Sequence, residues 1–424
     1  MMPLLAGDLT NGDRTLIRRR HVFYVEGYDP QGAEGYYDIF QKSWKRFLKI
    51  WPLQTKLGAL EIDSEFFAHW EIETSAPNWQ VHTRYEFLRQ EQFIRANMAE
   101  PMPRQVRRAL WWFFDYLFSG TMWRVFLASW RYWAALVYFQ MLMLAWLLLS
   151  LGGGAVAGFV LEHFFGAPTW LSVAVGVVGA IGCFKLLRPL ADRWFVVQIN
   201  NHWPYLCEYA RGEPSCFEPA INACAERLVA VTRANGVDEI LVIGHSGGGV
   251  TAPAIVARAL ELDPDVGRHG PALILMTLGS IMPGAAVHPK AKKLRAIIER
   301  VAVEPSLLWI DAQSNKDILN FENFDPVAGI GIDAGPRRCN PLTWQVRFRD
   351  MLSEDFYRSL NGNFFRLHYQ FIMANDMRAP YDYFMLVCGP VTPSEWVRRQ
   401  RDLLAEFAED ASYAKAPVPS QALG

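Results

Sequence analysis

The chain has 424 residues and a formal net charge of -1, long enough for one large domain or two ordinary ones and without the basic excess that nucleic-acid binding requires. Apolar residues make up 51% and aromatic ones 14%, with 16 Trp, a Trp density typical of chains that meet a membrane–water boundary. The six cysteines have no CxxC spacing and no neighbouring His, which argues against a zinc site and a disulfide scaffold and for reduced core thiols.

The first 20 residues carry Arg14, Arg18, Arg19 and Arg20 but no apolar run of signal-peptide length, so the chain does not begin as a secreted one. An apolar strand is expected at 22–26, followed by Gly27 and a helix around 35–51. Segments 66–74 and 79–87, on either side of Ala76-Pro77-Asn78, predict two strands. From Gln105 to Trp133, Arg alternates with Trp111, Trp112, Phe113, Phe114, Trp123, Phe126 and Trp130, the composition of a helix lying in a headgroup layer. Two uncharged runs follow, Tyr132 to Leu151 and Phe164 to Phe184, each long enough to cross about 30 Å of hydrocarbon. Gly152, Gly153 and Gly154 are expected to loosen the first, and Gly166-Ala167-Pro168 to turn the chain, giving a transmembrane helical hairpin. Arg104, Arg107, Arg108, Arg124 and Arg131 precede the hairpin, and Lys185, Arg188 and Arg193 follow it. The positive-inside rule then places both ends of the hairpin and both termini in the cytoplasm, the arrangement of a bacterial inner-membrane protein.

Beyond the hairpin the pattern predicts a strand at 194–199, a helix at 217–235, a strand ending at Ile243, a helix at 248–262, strands at 272–278 and 306–311, a last strand at 383–388 and a helix at 393–410. The Pro/Ala-rich tail from Ala414 is expected to be disordered. The βαβ alternation makes the fold class α/β, a mostly parallel sheet flanked by helices with the hairpin inserted. The expected divisions are 1–100, 101–190 for the insertion, 191–410 and a tail at 411–424.

Residues 239–249 place Gly244-His245-Ser246-Gly247-Gly248 between a buried strand and a helix, the setting of a nucleophile elbow. The glycines at 244 and 248 leave room for a sharp turn, which lifts the Ser246 hydroxyl clear of the sheet. The Gly247 N–H is left at a helix N-terminus, where an oxyanion develops. His245 reads as a packing residue of the elbow. The sequence resembles the α/β-hydrolase superfamily, most closely its lipase and esterase members with a Gly-His-Ser-Gly-Gly elbow.

That resemblance implies the order Ser, acid, His. Of the nine His, only His269, His288 and His368 follow Ser246, and the first two lie in loops before any late strand. His368 is the expected base. Asp317, in the polar loop after the strand at 306–311, is the expected acid, with Asp311 at the strand tip second and Asp325 third. The resemblance also implies a second oxyanion N–H after the first strand. The superfamily often has His-Gly there and this chain has Glu26-Gly27, so Tyr28 is the first choice and Gly27 the second. The expected activity is hydrolysis of carboxylic esters, with a lipid or other amphiphilic acyl ester as substrate, the bilayer as partner and no metal or cofactor. Acyl transfer or thioester hydrolysis by the same triad, and a membrane scaffold that has lost catalysis, are the alternatives.

Overall fold

The computed structural model describes residues 16–415. In chain order its elements are β1 (Arg19–Val25), α1 (Gly32–Phe47), β2 (Gln54–Leu57), β3 (Glu61–Ile62), β4 (Phe67–Ala76), β5 (Trp79–Leu88), α2 (Glu91–Met98), α3 (Met102–Phe118), α4 (Thr121–Ala128), α5 (Trp130–Phe165), α6 (Thr169–Arg193), α7 (Val196–Arg211) and α8 (Glu218–Ala234). Then come β6 (Glu239–His245), α9 (Gly248–Leu262), β7 (Ala272–Leu278), α10 (Met282–Ala286), α11 (Lys292–Ala302), β8 (Leu307–Gln313), β9 (Leu342–Gln345), α12 (Glu354–Ser359), α13 (Phe364–His368), α14 (Tyr383–Cys388) and α15 (Pro393–Leu404).

The chain divides into two compact units, one made of the residues up to Arg95 and from Glu208 onward, the other of Ala96–Cys207. The first unit is an α/β layer structure. Its sheet runs β2-β4-β5-β1-β6-β7-β8-β9, with β3 also on β4. The pairings from β5 through β1 to β9 are parallel, and those of β4 with β2, β3 and β5 are antiparallel. β6 is buried along its whole length, as its unbroken aliphatic run requires of a strand covered on both faces. Alternate residues Val22, Tyr24, Leu241, Ile243, Ile274 and Met276 share one core with Tyr36, Phe40 and Trp44 of α1 and with α14. Helix α9 packs against β6 and β7 and is flanked by α8 and α11.

The second unit is helical. The α5–α6 pair is joined by a turn at 166–168, where Gly166 caps α5 at φ 61°. The two helices approach closely through small residues. A Cβ on Gly154 would lie 2.3 Å from the Gly176 carbonyl oxygen, and one on Gly158 2.6 Å from that of Ser172. In the first half of α5, Tyr132, Leu136, Phe139, Met143 and Trp146 are buried at helical spacing. Met143 and Trp146 join Ala109 of α3 and Val196 and Val197 of α7 in a core. Between residue 148 and Ile181 most exposed side chains are apolar and many are large, among them Leu148, Leu151, Val156 and Phe159 on α5 and Val173, Val178 and Ile181 on α6. Both helices are long and apolar enough to cross a membrane.

Several expectations give way. Segment 194–199 is the start of α7, because a short apolar run is equally a buried helix, and here it packs on α3 and α5. Segment 383–388 is α14: the Asp382 carboxylate accepts the N–H groups of Phe384 and Met385 and starts a helix. The three glycines at 152–154 do not interrupt α5, since Gly153 and Gly154 are where α6 packs against it. The expected tail lies outside the described residues only from 416. Tyr413 is buried, and Asn78 exchanges hydrogen bonds with both its backbone groups, at 3.0 and 2.8 Å.

Candidate active site

The turn after β6 is built by its neighbours. A Cβ on Gly244 would lie 2.3 Å from the Gly248 carbonyl oxygen, and one on Gly248 2.2 Å from that of Val25. Only glycine lets α9 turn back this tightly on β6 and β1. Ser246 pays in backbone conformation, with φ 57°, a left-handed geometry that costs a non-glycine residue on the order of 1–3 kcal/mol and persists where the surroundings impose it. Its N–H is held by the Leu278 carbonyl at 3.0 Å. Between Glu239 and Val250, Ser246 is the one residue that is not buried.

His368 ends α13, and its Nδ1 is 2.7 Å from Asp317 Oδ2. Both side chains are buried. Asp317 Oδ1 accepts the Leu319 N–H at 2.9 Å, so this carboxylate is oriented at both oxygens. The pairing puts the proton on Nδ1 and leaves Nε2, buried and without a hydrogen-bond partner, as the basic nitrogen. The imidazole lies beside the elbow: its ring centroid is 4.8 Å from that of His245, the residue before Ser246. Its Cε1 is 3.3 Å from the Cβ position of Gly279, which follows the residue holding the Ser246 N–H. No hydrogen bond joins Ser246 to His368 in this state, as is common for such pairs without substrate.

Asp311 and Asp325 are occupied elsewhere. Asp311 accepts from Thr277 and, at 2.7 Å, from Gln313, and burial lifts its carboxyl to about 6. Asp325 forms a two-pronged pair with Arg338 at 2.7 and 2.8 Å, and that pairing, against its partial burial, holds its carboxyl below the usual range.

The loop after β1 meets the elbow through Gly27. The place of a Cβ there is 3.1 Å from Ser246 Cβ and 3.3 Å from both Ser246 Oγ and the Gly247 nitrogen. Tyr28 follows, buried, and the Asp29 N–H closes the turn on the Gly27 carbonyl at 3.0 Å. The Gly247 nitrogen and the Gly27 backbone therefore stand close to the Ser246 side chain. Glu26 is buried with both carboxyl oxygens unpartnered. Burial, then Asp29 and Glu91, push its carboxyl well above the usual range.

Sequence reasoning missed two tethers on the base segment. His245 Nε2 is 3.1 Å from the His368 carbonyl oxygen, and the Tyr369 hydroxyl donates to the Asp29 carboxylate. A polar side chain inside the elbow motif and a tyrosine beside the base were the available signals. His269 and His288 take no part; His288 accepts the Lys290 N–H at 3.0 Å. The six cysteines are free thiols, and among the described residues no cluster of side chains fits a metal ion. Comparison with family models, with curated proteins and with solved structures finds no match to this chain.

Proposed function

We propose that the protein is a membrane-anchored serine hydrolase of the α/β-hydrolase type, cleaving carboxylic esters through an acyl-enzyme on Ser246. The observation that carries this reading is the Asp317–His368 pair, whose Nε2 has no partner and whose ring lies 4.8 Å from that of His245, the residue before a serine held at φ 57°. The order of strands from β5 through β1, β6 and β7 to β9, with Ser246 at the carboxyl end of β6, supports the same reading.

In the first step Ser246 Oγ bonds to the ester carbonyl carbon while its proton passes to His368 Nε2. Asp317 holds the Nδ1 proton and stabilises the imidazolium. The oxyanion is met by the Gly247 N–H and by Tyr28 or Gly27. When the carbonyl re-forms, the C–O bond to the alcohol breaks and the alcohol leaves with the Nε2 proton. Water then gives its proton to Nε2, attacks the acyl carbon and releases the acid, and Ser246 recovers its proton.

The substrate class follows from location. The exposed apolar sides of α5 and α6 beyond residue 147 fit hydrocarbon, and 18 residues of helix span about 27 Å. On α3 the residues Arg104, Arg107, Trp111, Phe114 and Phe118 form one exposed stripe at spacings of three and four, with the arginines at one end and the aromatics at the other, as a helix dipping from headgroups into acyl chains requires. An enzyme anchored in this way meets phospholipids, acylglycerols and other amphiphilic esters at the bilayer surface.

The test is labelling of the membrane-embedded protein by a fluorophosphonate. Wild type should label; Ser246→Ala should abolish labelling, and His368→Ala and Asp317→Asn should slow it on the order of 10³–10⁴-fold, with Asp311→Asn close to wild type. Undiminished labelling of Ser246→Ala would remove the site.

A further inference from the structure

The base sits on a short, irregular stretch. α13 has five residues and runs directly into a one-turn 3-10 helix, Tyr369–Ile372, so no strand pairing fixes the backbone at His368. What reaches it from the sheet is His245. This side chain is buried, its Nε2 is 3.1 Å from the His368 carbonyl oxygen, and its Nδ1 has no partner. A carbonyl only accepts, so the contact requires the hydrogen on Nε2. The other tautomer would bury an unsatisfied N–H and set two lone pairs against each other. Burial, and then the neighbouring His368, push the His245 imidazole well below its ordinary range, so it remains neutral beside a base that must itself become charged. A second tether acts from the other side, where Tyr369 donates to Asp29 on the loop that carries Gly27 and Tyr28.

We propose that His245 is a positioning residue, whose Nε2–H, donated to the His368 carbonyl, fixes the base relative to the nucleophile. This rests on the serine-hydrolase reading. Ser246 is the next residue, so the distance from nucleophile to base is governed by one peptide unit and one buried hydrogen bond. The elbow motif thereby supplies both the attacking oxygen and the tether of the group that activates it. The residue that sequence analysis assigns to packing has a directional task.

The experiment compares His245→Gln, whose side-chain amide donates at nearly the position of Nε2, with His245→Leu, which fills similar space and donates nothing. The readouts are the rate of fluorophosphonate labelling, kcat and KM on a short-chain p-nitrophenyl ester, and the midpoint of thermal unfolding, all on the full chain in detergent. His245→Leu should lose on the order of 10–100-fold in labelling rate and kcat, the scale of a misplaced catalytic group, with KM within about twofold. His245→Gln should recover most of the loss while melting no higher than His245→Leu. Equal impairment of both variants means that shape alone matters, and wild-type rates in His245→Leu mean that the tether does nothing; either result overturns the proposal. Absence of labelling in wild type sinks the hydrolase reading and this proposal with it, whereas wild-type labelling with an unaffected His245→Leu sinks this proposal alone.

Discussion

Gly27 stands against the Ser246 side chain, and a single methyl group there is enough to test the oxyanion geometry. Its φ lies outside the left-handed region, so alanine meets no backbone strain. The added Cβ would sit 3.3 Å from Ser246 Oγ and from the Gly247 nitrogen, in the space a developing oxyanion needs. Gly27→Ala is therefore expected to fold with a slightly lowered unfolding midpoint, since the Cβ would also sit 3.1 Å from Ser246 Cβ, and to lose on the order of 10²–10³ in kcat, the effect of disabling one oxyanion donor. Full activity in Gly27→Ala would place the oxyanion elsewhere. The same scale separates the acids. Asp311, second in the sequence reading because it stands at a strand tip, has its oxygens taken by Thr277 and Gln313. Asp317 reaches His368 across 51 positions of chain, a contact that only the folded loop creates. The pairing of Asp317 with His368 could be anticipated from the order that the superfamily resemblance implies. The hydrogen bond from His245 could only be half read: the polar side chain was visible, but its partner is a backbone carbonyl, which leaves no trace in side-chain identity.

At the level of elements, legibility followed burial and periodicity. β1, β4, β5, β6, β7 and β8 stand close to where apolar runs and turn residues place them. The misreadings were 194–199 and 383–388, buried apolar runs too short for period to decide; β2, β3 and β9 went unpredicted, strands of two to four residues held by pairing with neighbours rather than by a pattern of their own. The helical pair was legible as apolar length, but its division was not. The first half of α5 is covered by α3 and α7, so its apolarity reflects protein core, and the exposed apolar stretch begins beyond Trp146. A photoreactive benzoylphenylalanine placed in the full chain in vesicles should distinguish these surfaces. At Val160, Val177 and Phe118, all exposed, it should crosslink to phospholipid; at Phe139 and Tyr116, both buried, it should not. Crosslinking at Val160 and Val177 without Phe118 would take α3 off the membrane, and none at any of the three would remove the membrane reading.

For the whole molecule, the insertion of a helical pair between β5 and β6 has a consequence that depends on direction. α5 and α6 are antiparallel and joined by three residues, so if they cross a bilayer the chain returns to the side it left, and the sheet can be completed from its two sequence segments on one side. A single span would strand β1 and β6 on opposite sides, yet these two are paired along six positions. The side is chosen by charge. Arg104, Arg107, Arg124, Lys185 and Arg188 flank the outer ends of the pair, while the turn from Glu162 to Thr169 has neither Lys nor Arg, and basic residues stay in the cytoplasm. Alkaline phosphatase, active only after export, inserted at Glu162 should therefore be active, and a fluorescent protein that matures only in the cytoplasm should fluoresce when fused at Gly424. A silent phosphatase with a bright carboxyl-terminal fusion would mean the pair does not cross. An active phosphatase with a dark carboxyl terminus would mean only one helix does, which the β1–β6 pairing forbids in a folded chain. Adding two lysines to the turn should reduce the phosphatase signal and the yield of folded protein together, because the charge that disfavours export also keeps α5 and α6 out of the bilayer.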